Sequence, residues 1–580
     1  MARVGKILLL VLVLLILAAI GYQARKVAVI GWESVVGYQT PYLTRLPRGS
    51  AAEPLARRVV LVLVDGLRLD VSRNLARLNE LQRQGAALSV RVGQPSLSYP
   101  SWTVIASGAW QEVSGVTTNW HKEEVQVDTV FRAARDAGMP VVVVGGGGWE
   151  KLYGSHLTEY VKVPWPEDES APPEAWARMD EESFHLAIRV LEEHPEGLIL
   201  VYFGGTDKLA HQYGVGSQYR EEVQRVDASI GRLAEQLDPE NDVLIVTADH
   251  GHVDRGGHGG WEPSVLRVPL VMVGKAIRPG VYTERLQVDI APTIAALLGL
   301  PIPVHAQGRP LVEMLDAPAD VKGRIGVNAG LQLVGFYDAY AHALGVRPFA
   351  GEVLTRYRER LAQGEEGALS GMWAEITARA QAARAKRFWR ERLLRLPLAL
   401  GIALLPVLYL LLFRRRLRQI LFPLSFALIY FVFYNALFFG QGYTWSLSAF
   451  NSENQIKAFF NERLLDAALS FIVAGLLLSL ASWKQPLLQT LERMVTFAFF
   501  VGYLLLLQVD LFYWLYDIRY PWALPDLRMG FKCHIDLLQM MSTGLLGVVL
   551  APLGVLVGWG MQRWRKTQVA QDSSCATGGP

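Results

Sequence analysis

Cysteine and N-glycosylation signals are scarce in this chain. It has two cysteines in 580 residues, Cys533 and Cys575, and no Asn-x-Ser/Thr sequence. Neither cysteine lies near a metal-binding motif, and the two fall on opposite faces of the membrane region predicted below, so no structural disulfide is expected. The missing glycosylation signals argue against a glycosylated lumenal protein.

Long hydrophobic runs are absent from the middle of the chain and are concentrated near its two ends. Residues 7–24 are uncharged and long enough to cross a bilayer as a helix. A cleaved signal peptide is the alternative, but the small residues Ala18 and Ala19 lie inside the run instead of after it, which favours a retained anchor. Lysine and arginine are nearly balanced between the two membrane faces, so charge does not orient the helices. Five further spans are predicted in the last third of the chain, at residues 396–413, 419–439, 464–482, 495–516 and 541–560.

Two charged features lie in or beside the predicted membrane spans. Residues 386–395 are strongly basic and contain two aromatic residues, which is typical of an interfacial element that attracts anionic head groups or of a stop-transfer flank. Asp510 is an acid inside a span, so it is a candidate for function or for pairing with a neighbouring helix.

The predicted parts of the chain are a transmembrane anchor at 1–24, a catalytic domain at 57–315, a helical connector at 316–395, a five-helix transmembrane bundle at 396–560 and a flexible tail at 561–580.

Apolar, β-branched runs recur between helical stretches in the middle region. The runs are VVLVLV (59–64), MPVVVV (139–144), LILVYF (198–203), DVLIVT (242–247) and VPLVMV (268–273). Helical patterns at 180–193 and 217–237 lie between them. Continuous apolar strands that alternate with helices predict an α/β fold with a mostly parallel sheet covered by helices on both faces.

Three of these strands lead to acids or imidazoles. The residues that follow them are Asp65, Asp207, His211, Asp249 and His250. A turn or capping role would explain one such residue, but the carboxyl ends of parallel strands meet at one edge, where open α/β sheets bind ligands. With His258, the set suffices for two divalent ions. Asp and neutral His are typical of zinc sites, with manganese as the alternative.

The order of these motifs resembles the alkaline phosphatase superfamily, in its phosphodiesterase and phosphotransferase branch. The resemblance covers residues 57–315 and implies an alkaline-phosphatase-like catalytic domain that works with two metal ions. The segments that carry it are LVDGLRLD (63–70), PSLSYPSW (95–102), GTDKLAH (205–211), ADHGHVDRGGHGG (248–260) and QVDIAPTIAALLGLPIP (287–303).

The resemblance also implies the metal ligands. One ion would be held by Asp207, His211 and His258. The other would be held by Asp65, Asp249, His250 and the Ser98 oxygen. His252 and Asp254 are left without a ligand role, and Ala210 stands where the family usually has glycine.

Two further residues have implied catalytic roles. Ser98 is the nucleophile, at a position where the family commonly has threonine, and it would form a covalent phospho-serine. On chemistry alone, Ser96 and Ser101 are alternatives. Asn119, in the segment GVTTN, would donate to a phosphoryl oxygen, and a plain turn asparagine is the other interpretation.

The architecture of anchor, catalytic domain and helical bundle resembles the GPI ethanolamine phosphate transferases, as do DGLRLD (65–70), EVSGVTTNWHKEEVQVDTVF (112–131) and GGHGG (256–260). The resemblance implies a phosphotransferase that moves phosphoethanolamine or a similar head group from a membrane lipid to a glycan or lipid acceptor. It also implies an extracytoplasmic catalytic domain. No nucleic-acid partner is expected, and the oligomeric state is open.

Two other hypotheses come from different functional classes. The chain could be an extracytoplasmic phosphodiesterase or nucleotide pyrophosphatase that hydrolyses a soluble compound, or a non-catalytic membrane scaffold or lipid transporter. The complete ligand set argues against the last. Fewer predicted spans than in the transferases, together with the missing glycosylation signals, favour a bacterial inner-membrane protein that faces the periplasm over a protein of the ER lumen.

Overall fold

The computed structural model describes residues 2–413, 417–450 and 455–576. The strands are β1 (Arg58–Val64), β2 (Ala86–Arg91), β3 (Val141–Gly145), β4 (Glu159–Lys162), β5 (Gly197–Phe203), β6 (Asp242–Thr247), β7 (Arg267–Val273), β8 (Gly280–Val281) and β9 (Arg285–Leu286). The helices before the connector are α1 (Ala2–Val36), α2 (Leu69–Ser72), α3 (Ala76–Gln84), α4 (Ser98–Ser107), α5 (Gln111–Ser114), α6 (Val130–Asp136), α7 (Trp149–Tyr153), α8 (Pro173–Glu193), α9 (Gly205–Tyr213), α10 (Ser217–Ala234), α11 (Pro263–Leu266) and α12 (Ile290–Leu297). The later helices are α13 (Ala319–Ala343), α14 (Ala350–Ala362), α15 (Ala368–Phe413), α16 (Leu417–Gly440), α17 (Gln455–Ala481), α18 (Leu487–Tyr516) and α19 (Leu527–Ala576).

The sheet forms where the sequence is most continuously apolar. All five predicted runs are strands, and every residue of β1, β3, β5 and β6 is buried, as expected for strands covered on both faces. The strand order is β4-β3-β5-β1-β6-β7-β2-β8, with β9 paired to β2. Strand β7 runs antiparallel to both of its neighbours. The predicted α/β class with a mostly parallel sheet is confirmed.

The three central strands β1, β5 and β6 determine where the predicted site lies. Strand β1 pairs in parallel with β5 on one side and β6 on the other, so the carboxyl ends of all three lie side by side. The sequence did not predict β2, whose run AALSVR is short and mixed in polarity. It extends the far edge of the sheet by pairing with β7.

The helices that follow the sheet share its buried core. Leu333 and Phe336 of α13, Val353 of α14 and Met372 of α15 belong to the same buried apolar cluster as the strands. Helix α15 then continues without a break into the predicted span at 396–413. The last helix of the connector and the first helix of the predicted bundle are therefore one helix.

Five helices in the described residues are long and apolar enough to cross a membrane, which supports an integral membrane protein. They are Val4–Val36, Gln419–Gly440, Gln455–Ala481, Leu487–Tyr516 and Leu527–Trp564. The first helix continues to Val36, beyond the predicted end at residue 24. The remaining predicted span, 396–413, is helical, but the side chains of 408–410 and 412–413 lie outside the described residues. Cys533 is a buried free cysteine of α19.

The basic stretch at the end of the connector is engaged with the bundle. Arg392 Nε donates to the Leu515 carbonyl oxygen at 3.1 Å, and Arg395 donates to the Tyr513 carbonyl oxygen at 3.1 Å. These carbonyls lie at the C-terminal end of α18, where the helix dipole favours cations. Arg387 lies over the Trp522 ring at 4.4 Å. The arginines thus fix the junction between α15 and α18.

Candidate active site

Each predicted ligand lies at the carboxyl edge of the sheet. Asp65 follows β1, Asp249 and His250 follow β6, and His258 lies in the loop that leads to α11. Asp207 and His211 lie four residues apart on α9, so both point to one side of that helix. Gly66 turns the chain after Asp65 with φ +71°, and a Cβ there would come within 2.5 Å of His252 Nε2.

The first group of ligands gathers around one oxygen of Asp207. His211 Nε2 lies 3.3 Å and His258 Nε2 3.6 Å from Asp207 Oδ1, and the two Nε2 atoms are 3.1 Å apart. Side chains of Asp207 and His258 are almost fully buried. These three residues form one of the groups whose geometry could hold a metal ion.

The second group lies beside the first. His250 Nε2 is 3.4 Å from both Asp65 Oδ1 and Asp249 Oδ2, and Ser98 Oγ lies 3.4 Å from the same nitrogen. Asp65, Asp249 and His250 form another possible metal group, fully buried. The two sets are the ones that the family resemblance implied.

The chemistry of these residues fits divalent cations. Asp65 Oδ1 and Asp207 Oδ1 are buried beside histidine nitrogens, with His250 Nε2 3.4 Å from the first and His252 Nε2 3.0 Å from the second, and a divalent ion among these atoms would compensate the buried carboxylates. Burial, together with Asp249 and Asp207, raises the pKa of Asp65. Burial also lowers the pKa of His258, which favours the neutral imidazole, the form that binds metal.

His252 belongs to the site although the sequence left it without a ligand role. Its side chain is fully buried, and Nε2 lies 3.0 Å from Asp207 Oδ1. With Asp207 and His250 it forms a third group whose atoms could hold an ion. Asp254, by contrast, is exposed and pairs with Arg68 at 2.5 Å. The sequence offered no signal that separated these two residues.

Further side chains orient the ligands. Tyr202 OH donates to Asp65 Oδ2 at 2.6 Å, and Trp102 Nε1 donates to Asp249 Oδ2 at 2.9 Å. His258 Nδ1 lies 2.9 Å from the Ser96 carbonyl oxygen, so a proton on Nδ1 leaves Nε2 free for a metal. Sequence reasoning missed all three partners, because Tyr202 and Trp102 look like ordinary core aromatics and Ser96 acts through its backbone.

The three serines near the predicted nucleophile differ in position. Ser98 is the first residue of α4 and lines the cavity described below. Ser96 Oγ donates to the Gly260 carbonyl oxygen at 3.0 Å, and Ser101 is fully buried within α4. A helix N-terminus favours negative charge, so Ser98 lies where an alkoxide or phosphate would be stabilised.

Asn119 lies next to the serine. Its Oδ1 accepts the Tyr99 backbone N–H at 3.0 Å, which leaves the NH₂ group as the part of the side chain that can donate to a ligand. Asn119 lines the same cavity as Ser98. This placement is compatible with the predicted donor role.

A cavity of about 650 Å³ lies between one of these groups and the membrane helices. Its polar lining includes Ser98, Asn119, Asp207, Lys208, His211 and His258. Its apolar lining includes Trp32, Val35 and Val36 of α1, Leu447 and Phe450, and Ile456 of α17. Lys208, which lies between two predicted ligands, thus faces this space.

A family model matches the part of the chain that carries this candidate site. Residues 59–258 match the family model described as Type I phosphodiesterase / nucleotide pyrophosphatase. This range includes every residue of both predicted metal groups, Ser98 and Asn119. The predicted resemblance is confirmed for this region, and the family that it matches is one of enzymes that act on phosphate esters.

Individual relatives are similar over the same part of the chain. Human GPI ethanolamine phosphate transferase 2, catalytic subunit, is 25% identical over 291 residues, which cover 45% of this chain and 29% of the relative. GPI ethanolamine phosphate transferase 1 of Emericella nidulans is 25% identical over 336 residues, which cover 47% of this chain and 36% of the relative. The chain therefore spans about a third of the length of these relatives. A solved structure, murine ectonucleotide pyrophosphatase / phosphodiesterase 5 in complex with AMP, has 16% identity and a TM-score of 0.35, with coverage of 42% of this chain and 96% of that one.

Proposed function

We propose that this chain is a membrane-bound, two-metal phosphotransferase that moves phosphoethanolamine or a similar head group from a membrane lipid to a glycan or lipid acceptor. The observation that carries the proposal is the cavity, which is lined by Ser98 and one candidate metal group and also by apolar residues of α1 and α17. A lipid with a phosphodiester head group matches both kinds of lining, whereas a soluble nucleotide would not use the apolar residues. The similarity to the transferases supports the same conclusion.

The proposed metal centre would use two sets of residues. Asp207, His211 and His258 would hold one divalent ion, and Asp65, Asp249, His250 and Ser98 Oγ the other. Zinc is the ion that best suits these ligands. When bound, such a pair of ions lowers the pKa of the serine hydroxyl and neutralises charge on the phosphate oxygens.

The first half of the reaction would build a phospho-serine. Ser98 Oγ loses its proton and attacks the phosphorus of the donor lipid, and the bond from phosphorus to the diacylglycerol oxygen breaks. That oxygen leaves with a proton as an alcohol. The N-terminus of α4 favours the charge at Ser98, and the Asn119 amide donates to a phosphoryl oxygen as negative charge grows there.

The second half would regenerate the enzyme. A hydroxyl group of the acceptor attacks the phosphorus, the bond to Ser98 Oγ breaks, and the serine recovers a proton. Water in place of the acceptor would make the enzyme a hydrolase. Transfer instead of hydrolysis would require that the cavity between Lys208 and Ile456 admits a large acceptor alongside the phospho-serine.

The membrane topology belongs to the same proposal. Residues 57–315 would form the catalytic domain on the extracytoplasmic side, in the bacterial case in the periplasm. The C-terminal end of α1 leads into this domain, so the loops that join α16 to α17 and α18 to α19 lie on the same side. The cavity would then open toward the outer leaflet of that membrane.

The test uses the full-length protein in detergent with vesicles that contain phosphatidylethanolamine. We expect wild-type protein to gain the mass of one phosphoethanolamine on the peptide that contains Ser98, and the Ser98→Ala variant to gain none. Peptide mapping by mass spectrometry locates the adduct. Vesicles of phosphatidylglycerol are the matched control for the head group.

Two results would overturn parts of the proposal. Adducts on Ser96 or Ser101 would exclude Ser98 as nucleophile. Metal-dependent cleavage of an aryl phosphodiester with no adduct from any lipid would exclude the lipid donor and leave a phosphodiesterase.

A further inference from the structure

The loop that joins α16 to α17 touches the segment that carries the metal ligand His258. Ser448 Oγ accepts the Gly260 backbone N–H at 3.1 Å and donates to Glu262 Oε2 at 2.8 Å. Trp261 Nε1 donates to the Trp445 carbonyl oxygen at 3.1 Å. Three bonds thus link residues 260–262 with a loop that lies almost 190 residues later in the chain.

The contact is buried and close. Ser446 and Ser448 are almost fully buried, and Ser446 Oγ accepts the Ser448 backbone N–H at 3.2 Å, which fixes the loop. A Cβ at Gly260 would overlap Ser446 Oγ and lie 2.6 Å from Ser448 Oγ. The loop therefore occupies the space that a side chain at residue 260 would need, which explains why glycine stands there.

A short path leads from this contact to the metal ligand. Gly260 lies two residues after His258, and its carbonyl oxygen accepts the Ser96 hydroxyl at 3.0 Å. The Ser96 carbonyl oxygen is in turn 2.9 Å from His258 Nδ1. Ser448 and Ser96 thus hold Gly260 from its two sides, and Ser96 also sets the orientation of the His258 ring.

We infer that Ser448 is a positioning residue for the metal site and that the α16–α17 loop completes this site from the membrane side. Ser448 acts through Gly260 on His258, and Glu262 fixes the hydroxyl direction of Ser448. The inference rests on the metal site proposed above. It also makes the catalytic region dependent on the bundle, because residues 57–315 alone lack Ser448.

The ion held by Asp207, His211 and His258 should therefore depend on Ser448, and the ion held at Asp65 should not. Full-length protein in detergent is stripped with a chelator, and zinc is titrated back while bound zinc per chain is measured. We expect wild type to bind two ions, and Ser448→Ala to bind one as wild type does and the other about tenfold more weakly. Thr444→Ala, an exposed position in the same loop, is the matched control and should bind both ions normally.

Variants at Glu262, which accepts the hydrogen bond of the Ser448 hydroxyl, test the same set of contacts. Glu262→Gln keeps an acceptor for the Ser448 hydroxyl and should bind zinc as wild type does, whereas Glu262→Ala should weaken the same single ion. Hydrogen exchange of the peptide that contains residues 258–262 should be faster in Glu262→Ala and Ser448→Ala. Because Glu262 is only partly buried, this pair serves if Ser448→Ala does not fold.

Three outcomes would count against the inference. Unchanged affinity for both ions in Ser448→Ala and Glu262→Ala would overturn it and leave the proposed function standing. Equal weakening of both ions would mean a general loss of structure and would overturn it as well. Wild-type protein that binds fewer than two ions would overturn the two-metal function and this inference together.

Discussion

The sheet edge and the membrane bundle both bury acids, but these acids face different partners. In the bundle, Lys532 Nζ lies 2.6 Å from Asp536 Oδ2 within α19, and Arg463 lies 3.2 Å from Asp466 within α17. At the sheet edge, His250 Nε2 lies 3.4 Å from Asp65 Oδ1, and His252 Nε2 lies 3.0 Å from Asp207 Oδ1.

A positively charged lysine or arginine compensates a buried acid, whereas a neutral histidine does not. The acids of the sheet edge therefore suit a bound cation, as proposed above, and the paired acids of the bundle do not require one. Asp510 of α18 belongs to neither group, because its Oδ1 is buried without a hydrogen-bond partner in the part of the chain that the structure describes.

The largest expected effect tests whether the sheet edge works as a reaction centre. Ser98→Ala should lower the metal-dependent cleavage rate of an aryl phosphodiester by on the order of 10⁴-fold or more, because the nucleophile is lost. At saturating zinc the content should stay at two ions per chain, since Asp65, Asp249 and His250 still hold the ion to which Ser98 Oγ would also bind. Activity within tenfold of wild type would show that another group is the nucleophile.

Sequence reasoning could place those residues that directly follow a predicted strand. Asp65, Asp249 and His250 follow continuous apolar strands, so the edge on which they meet could be predicted before any distance was known. Asp207 and His211 were predicted because they follow the run LILVYF, and the structure places them on one helix. His252 could not be assigned, because it lies in an irregular segment whose direction depends on the packing of Gly66 and Asp207 around it.

The partners of the ligands were beyond sequence reasoning for a different reason. Tyr202 and Trp102 have the pattern of core residues, and only their hydroxyl and indole N–H groups distinguish them from other buried aromatics. Ser448 lies 188 residues from Gly260, in a loop between membrane helices, and no local pattern relates the two. The fold class was predictable from periodicity, whereas the contact between bundle and catalytic region depends on tertiary packing.

The second prediction breaks a charge pair in the bundle. Lys532→Met leaves Asp536 buried without its cation, which should lower the stability of the protein by about 3–5 kcal/mol. The double variant Lys532→Met, Asp536→Leu should recover most of the loss. Thermal unfolding in detergent measures both, and zinc content per folded chain should not change. Loss of zinc in the single variant would mean that this pair serves the metal site.

The third prediction returns to the sheet edge with a smaller change. Asn119→Ala should lower kcat by about 10²-fold with little change in zinc affinity, because one donor to the developing charge is removed. Asn119→Asp is the matched variant, since it keeps the size and the acceptor for Tyr99 but removes the N–H donor. Normal kcat in both variants would leave Asn119 with a turn role only.

The smallest expected effect concerns a hydroxyl group that orients a metal ligand. Tyr202→Phe removes the donor to Asp65 Oδ2 and keeps the ring, so the affinity for one zinc ion should fall by about tenfold. Tyr153→Phe is the matched control, because Tyr153 is equally buried, lies in the same aromatic cluster and donates to Thr103 Oγ1 instead of a ligand. Zinc titration of both variants measures this difference in affinity. Equal affinities would mean that the buried carboxylate needs no orienting partner, and the contrast between the two regions would then rest on charge alone.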